Sequence, residues 1–529
     1  MRRLQKFAYG LALLLISSPA PALAQSITGS ISGSVSDGTG SAVPVARLTL
    51  VNAATGAQRA TLTNERGEFV ISSLDPGRYS LSVQVTGFKT LARKGIVLTA
   101  SERLSVGNLT LELGALEEQV TVTAAGAAVQ TASAERATAI TSSQVGNLLI
   151  YGRTVTSLVA LAPGVVDTVG AGARALGGGG GGGTNFNVLG NRSATNNFTV
   201  DGVTMSAVGG APNAAFGVAM EAVSEVKVLL SNYPAEFGRL SGSNVQIVTK
   251  SGTRDFHGIG MYYMRNDALN ANNFFSNRLG ARRPRNRYNA ATYSIGGPAY
   301  IPGKLNRQRQ KLFFFWNHEY LPQKVTGALQ YSTMPTGLER AGDFSQSVDV
   351  NGRLITITDP FAGAAFPGNK IPSNRIDLNG QALLGVFPQP NFLDRTVSKG
   401  AYNYVTQFTG RDPLQLYTLK LDYNIGSNDT FSATLAGNFD DNTTPNGGGI
   451  TAPFAIQPGT THNAGRMVAG HYTHLFSPTL INEVTFGYAQ MFGPMATDLS
   501  ADVLKVMQRS TYGVTASQLN PASNPLNLV

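Results

Sequence analysis

The chain has no cysteine among its 529 residues. That excludes a disulfide framework, thiolate metal sites, a cysteine nucleophile and a lipid-modified cysteine anchor. Charge is scarce as well. Asp, Glu, Lys and Arg make up 14% of the chain, against about 25% in ordinary soluble domains. No segment supplies the roughly 20 apolar residues that a membrane-crossing helix needs. Histidine occurs five times, at His257, His318, His462, His471 and His474. His471 and His474 are three apart and point to opposite faces of a strand, so no metal pair is expected there. No Ser-His-Asp order or paired-carboxylate motif stands out. Asp440-Asp441-Asn442 lacks the remaining ligand spacing of a calcium loop. The expectation is a chain that is not an enzyme and needs neither cofactor nor metal.

What is present begins at the N-terminus. Arg2, Arg3 and Lys6 precede the apolar run Phe7 to Ile16, and Ser17 to Ala24 ends in Ala22-Leu23-Ala24. These are the three parts of a secretory signal peptide, with cleavage expected between Ala24 and Gln25. The net charge of +10 would suit nucleic acid in a cytosolic chain. Behind an export signal it suits anionic lipopolysaccharide or solubility, and no nucleic-acid partner is expected. Sixty glycines and 25 prolines point to short strands and many turns. The length suggests three or four domains.

From Ile27 to Leu113 the pattern is β. Tyr79, Leu81, Val83 and Val85 alternate with Ser80, Ser82, Gln84 and Thr86, which places the apolar set on one sheet face. Asp37-Gly38-Thr39-Gly40, Asn64-Glu65-Arg66-Gly67 and Asp75-Pro76-Gly77 are turn signals. About seven short strands predict a small β-sandwich. The run GSISGSVSDGTGSAVPVARLTLVNAATG followed by TNERGEFVISSLDPGRYSLSVQVTGF resembles the carboxypeptidase regulatory-like domain. The resemblance implies an accessory role and no peptidase activity, and the stretch holds no histidine. A transthyretin-like binding module would have the same fold.

Residues 114–252 read differently. NFNVLGNRSATNNFTVDGV (185–203), then VSEVKVLLSNYPAEFGRLSGSNVQIVTKSGT (223–253), resembles the plug domain of TonB-dependent outer-membrane receptors. That family implies a globular plug inside a large β-barrel and import of scarce solutes. Glu118, Gln119, Val120, Thr121, Val122 and Thr123 resemble the TonB box, an extended segment that pairs with an edge strand of a TonB-type energy-coupling protein. The same residues also read as the first strand of the plug. Gln144, Val145, Leu148, Leu149, Val155, Leu158, Val159 and Leu161 recur at helical spacing, ended by Pro163-Gly164. Gly177 to Gly183 is an unbroken glycine run without the Gly-Lys-Ser/Thr of a phosphate loop, and reads as a flexible plug loop. Asp201 and Gly202 suit a tight turn after a strand. Asp201, Gly202, Glu236, Gly238 and Arg239 match the plug motif, where structural packing is favoured over direct contact with solute.

Beyond Phe256, Tyr417, Leu419, Leu421 and Tyr423 alternate with Thr418, Lys420 and Asp422. Phe431, Ala433, Leu435 and Phe439 repeat the pattern, as do Val484, Phe486 and Tyr488. Alternating segments joined by short turns predict transmembrane β-strands, apolar set to lipid and polar set to the lumen. Leu321 to Pro413 reads as a long extracellular loop, and the Arg278, Arg282, Arg283, Arg285, Arg287 cluster as a solvated turn. GGPAYIPGKLNRQRQKLFFFWNHEY together with MPTGLERAGDFS, FPGNKIPSNRID and LLGVFPQPN resembles the Oar-like subfamily. The fold class expected is mainly β: an N-terminal sandwich (25–113), an α+β plug (114–252) and a partial transmembrane antiparallel β-barrel (253–529). About 8 to 10 strands fit that last length, against about 22 for a plugged transporter, so a truncated chain or half of a split gene is expected. The function expected is a TonB-dependent receptor importing an unidentified solute, whether metal chelate, glycan or peptide. The alternative is an adhesion or export protein that uses the barrel as a mount.

Overall fold

A computed structural model describes residues 25–115, 119–123, 133–148, 150, 153–168, 186–205, 216–237, 241–326, 329–426, 428–444, 459–477, 479–493, 495–497 and 501–528. The signal segment, Glu118, Gly238, Arg239 and the glycine run lie outside the described residues.

The first unit contains β1 (Gly29–Ser36), β2 (Arg47–Asn52), β3 (Gln58–Leu62), β4 (Glu68–Leu74), β5 (Gly77–Gln84), β6 (Thr90–Leu98) and β7 (Arg103–Thr110). They form two sheets, one ordered β4-β1-β7 and the other β3-β2-β5-β6. Tyr79, Leu81 and Val83 are buried as their alternation predicts. They join Ile31, Leu48, Leu50, Phe69 and Leu104 in one core. Each such large apolar side chain contributes about 1.5–3 kcal/mol on burial, which is what holds so small a sandwich together.

One element moves relative to the sequence reading. β8 (Gln119–Thr123) runs parallel to β6, from Thr90 opposite Gln119 to Lys94 opposite Thr123. It is the fifth strand of the larger sandwich sheet, and Val120 packs against the sandwich core. The segment is therefore not the first strand of the plug, and the sandwich sheet extends past residue 113. The physical reason is local. β6 offers an edge, and a short Val/Thr strand reaches it as the chain passes.

The plug begins with β9 (Arg136–Thr141), followed by helix Ser142–Asn147, whose Thr141 and Gln144 form a capping box. A 3₁₀ segment covers Val155–Leu161. The expected helical run from Gln144 to Leu161 is thus two short pieces preceded by a strand. Gly146 and the β-branched Val155 and Thr156 disfavour one continuous helix. β10 (Val165–Asp167) pairs with β11 (Phe186–Val188). β12 (Asn197–Val200), β13 (Val203–Thr204), β14 (Val223–Ser231) and β15 (Asn244–Thr249) complete a sheet ordered β13-β12-β15-β14-β9. Every residue of β15 is buried, because the sheet is covered on both faces.

Beyond the plug lies a meander of antiparallel neighbours: β16 (His257–Arg265), β17 (Asn286–Pro298), β18 (Leu312–Thr326), then, after a long excursion carrying the paired β19 (Gln330–Ser332) and β20 (Tyr404–Thr406), β21 (Thr409–Asn424), β22 (Asp429–Thr444), β23 (Gly459–Ser477) and β24 (Leu480–Phe492). The short β25 (Met495–Thr497) pairs with the start of β23. The connections 299–311 and 425–426 lie at one end of the meander, and the longer 266–285 and 329–408 lie at the other. Leu421, Phe431, Leu435, Phe486 and Tyr488 face outward, while Thr418, Lys420, Thr434 and Asn438 are buried inside. This is the predicted lipid and lumen division. Among the described residues the sheet is not closed, and the outer edges of β16 and β24 carry no partner strand.

The long excursion is shorter and more ordered than its sequence suggests. Leu321 still belongs to β18 and Thr409 already belongs to β21. Between them, buried Asn369 donates to the carbonyls of Phe344 (2.7 Å) and Ile355 (2.8 Å) and accepts from the amide of Ile357 (2.7 Å). One side chain thus ties three loop segments. In the arginine-rich turn, Arg283 donates to the Asn270 carbonyl at 2.9 Å and Arg287 pairs with Asp267 at 3.0 Å, as a self-contained turn would.

Candidate functional site: the seat of the plug

The Asp201-Gly202 turn is the centre of the seat. Asp201 and Gly202 both adopt left-handed backbone angles, φ 43° and 79°, which lets β12 reverse into β13 in two residues. Asp201 has no solvent exposure. Its carboxylate accepts from the Thr249 amide (2.9 Å), the Thr249 hydroxyl (2.5 Å) and the Thr434 hydroxyl (2.7 Å). Lys420 Nζ stands 3.5 Å away. His471 Nε2 donates to the Asp201 backbone carbonyl at 3.0 Å. One turn of the plug is therefore held by β21, β22 and β23 together. Burial alone would raise the Asp201 pKa. The Lys420 ammonium and the hydrogen bonds from Thr249 and Thr434 reverse this and hold the carboxyl below its ordinary value.

Gly202 has a second task. Gln25 donates its amide to the Gly202 carbonyl at 2.9 Å, and a Cβ on Gly202 would lie 2.0 Å from the Gln25 carbonyl oxygen. Only glycine allows this approach.

A second contact fixes the opposite flank. Arg153, just before the 3₁₀ segment, pairs closely with Glu221 of the plug and lies 3.6 Å from Glu319 on β18. Its guanidinium also sits 3.7 Å from the centre of the Tyr263 ring on β16, a cation–π contact. Burial opposes the Arg153 charge, but Glu221 and Glu319 outweigh it and raise the pKa.

The third contact joins sandwich and plug. Ala100 is fully buried. Its amide donates to Glu225 Oε1 at 3.1 Å, and its carbonyl accepts from Lys227 Nζ at 2.7 Å. Lys227 also pairs with Glu135 at 2.8 Å. Glu225 and Lys227 are two apart on β14 and so share a face. Burial pushes Glu225 up to about 7, against the pull of the Ala100 amide and Lys227. Ser26 and Thr28 add hydrogen bonds to Glu483 on β24, at 3.2 and 2.8 Å. Between sandwich, plug and strands lies a cavity of about 570 Å³, lined in part by Arg59, Tyr79, Lys250, Asp422, Phe431 and His471.

Of the residues singled out from sequence, Asp201 and Gly202 meet at the seat and Gln25 lies against them. Glu236 sits half exposed at the rim, 4.0 Å from Arg103. Gln119 to Thr123 lie on the sandwich edge. Ala24, Glu118, Gly238 and Arg239 fall outside the described residues. Sequence reasoning did not single out Lys420, Thr434, His471, Arg153, Glu221, Glu319, Glu225 or Lys227 as seat residues. The signal for Lys420 was available: a lysine on the inward register of a strand must find a partner. Among the described residues, no group of three or more His, Asp or Glu could hold a metal ion.

A small mixed domain docked by buried charges on the polar face of lipid-facing strands defines a plugged outer-membrane β-barrel. Residues 248–526, more than half of the chain, match the family described as outer membrane beta barrel domain, and the chain belongs to that family. Residues 126–243 match the TonB-dependent receptor plug domain and residues 30–112 the carboxypeptidase regulatory-like domain. The TonB-dependent transporter Oar of Myxococcus xanthus is 27% identical over 215 residues, 38% of this chain and 18% of that protein. The outer membrane transporter YddB from Escherichia coli superposes with a TM-score of 0.40 at 12% identity, over 67% of this chain and 38% of that one. The siderophore receptor PirA from Acinetobacter baumannii gives a TM-score of 0.33 at 11% identity, over 68% and 44%. The chain thus spans less than half the length of these relatives.

Proposed function

We propose that the chain works in a TonB-dependent importer of the Gram-negative outer membrane. The observation that carries this reading is the Asp201 seat. Its polar contacts to three barrel strands are strong enough to hold a plug closed, yet each can be exchanged for water when the plug shifts. In this reading residues 1–24 are removed after export, the long connections face outward among lipopolysaccharide, and solute meets them first. A TonB-type coupling protein engages Glu118 to Thr123 and supplies the pull. The solute is a metal chelate, a glycan or a peptide. The test is deletion of 118–123 in cells, with insertion checked by heat-modifiable electrophoretic mobility. Growth that depends on the imported solute is expected to fail while insertion persists. Unchanged growth would remove the import reading and favour adhesion or export, which needs no coupling segment.

A further inference from the structure

The cavity between sandwich, plug and strands is lined by two charged groups that each carry an unpaired buried atom. Arg59 stands directly opposite Leu50 in the β2–β3 ladder, so it shares a face with a residue of the sandwich core. Its Nη1 is shut off from solvent and has no hydrogen-bond partner. Asp422 lies two residues past Lys420 on β21, on the same inward face. Ser251 stands near its carboxylate, yet Oδ2 is enclosed and without a hydrogen-bond partner. Both residues line the cavity, one from the sandwich and one from the strands. Leaving a buried charged group unpaired is costly, and here a cation and an anion are left so on two different walls.

Several neighbours are already committed. Tyr79 donates to the Asp75 carbonyl at 2.6 Å, His471 to the Asp201 carbonyl at 3.0 Å, and Lys420 stands 3.5 Å from the Asp201 carboxylate. The rest of the charge on the lining, Arg59 and Lys250 against Asp75 and Asp422, is balanced. A polyanionic chelate would find no net attraction there. A molecule with one charge of each sign, held apart, would find both.

We propose that this cavity binds a short peptide with free ends, its carboxylate on Arg59 and its ammonium on Asp422. A guanidinium takes a carboxylate through two parallel N–H donors. Buried Leu50, Val248 and Phe315 line the same space and receive the apolar side chains. A sphere of about 570 Å³ is about 10 Å across, the reach of about three extended residues. Thr249, Lys420 and His471, which hold the Asp201 turn, also line the cavity, so it begins where the plug seat ends. The role of the site as a stop on the way inward rests on the import reading above. Binding itself needs neither an energised membrane nor a coupling protein.

The test is calorimetric titration of trialanine into the full chain in detergent. One-site binding is expected, with a dissociation constant below about 1 mM, and failure to saturate in that range would overturn the proposal. N-acetyl-trialanine and trialanine amide are each expected to bind at least about tenfold more weakly. Equal affinity of free and blocked peptides would overturn it, and this comparison uses the unmodified chain, so it holds even if a variant does not fold. Asp422→Asn is expected to weaken trialanine about tenfold and leave N-acetyl-trialanine unchanged. Arg59→Gln is expected to weaken trialanine to a similar extent and leave the amide unchanged. Equal weakening of free and blocked peptides by either variant would overturn the proposal, because a purely structural role acts that way. The competing explanation is a direct latch between Arg59 and Asp422. Thermal unfolding without peptide is expected to show additive effects in the Arg59→Gln, Asp422→Asn double mutant, and coupling between them would establish the latch instead. A failed titration removes the peptide site and leaves import to its own growth test in cells.

Discussion

Asp201 gathers partners from Thr249, Thr434 and Lys420, and its removal has a defined cost. Asp201→Asn would leave Lys420, itself only 5% exposed, without its facing anion. Losing one member of a buried pair costs about 3–5 kcal/mol, so the detergent-solubilised protein is expected to unfold at a clearly lower temperature. Adding Lys420→Met should recover part of the loss, and additive effects in that double mutant would disprove the coupling. Glu225 makes a prediction with the opposite pH sign to a paired carboxylate. Its pKa rises from 4.5 unfolded to about 7 in the fold. The folded state therefore holds the proton more tightly, and stability falls as pH rises through that window. The penalty is fully present above about 7 and absent below about 4.5, on the order of 3 kcal/mol. Glu225→Gln should flatten thermal stability measured between pH 4.5 and 7. Asp343 runs the other way. Its hydrogen bond from Lys370 holds it near 2, so its contribution is present above pH 3.8 and lost as pH falls toward 2.

At the scale of elements, legibility followed periodicity. The alternating β21, β22 and β24 were readable because each has one face in a defined solvent, and a two-residue period reports that directly. The turn at Asp201-Gly202 was readable from its backbone chemistry. The partners of that turn were not. Apart from Thr249, they come from strands more than two hundred residues away, and no local pattern states which plug residue a lumenal threonine will meet. β8 misled for a related reason: a short Val/Thr run pairs with whatever edge is near, and the edge of β6 is a tertiary fact. Two substitutions test these elements. Val120→Asp should detach β8 and speed amide exchange at 90–94, with no change expected on β2. Phe486→Arg places a charge on the lipid face of β24 and should cost about 2–4 kcal/mol if it lies near the bilayer midplane, measured as lost folding into vesicles. The same substitution in detergent should matter far less.

Seen as a whole, the molecule is three units joined by buried polar contacts set among apolar packing, in which Ala436, Met467 and Ala469 join the plug core. The plug meets the strands at Asp201 and Arg153, and the sandwich meets the plug at Ala100 and Gly202. The polar members of these contacts fix register and orientation, because each buried charge or carbonyl needs its own partner. The Gln25 contact has a consequence of its own. The sandwich is fastened at two separate points, by Gln25 at its start on the Gly202 turn and by Ala100, in the β6–β7 connection, on β14. A domain tethered this way rebinds as its own neighbour, at an effective concentration in the millimolar range. Breaking one attachment does not free it, because the survivor keeps the lost partners within reach and the first contact re-forms. Gly202→Ala, by unseating Gln25, should convert this two-point avidity into a single hinge, on which the sandwich swings rather than returns.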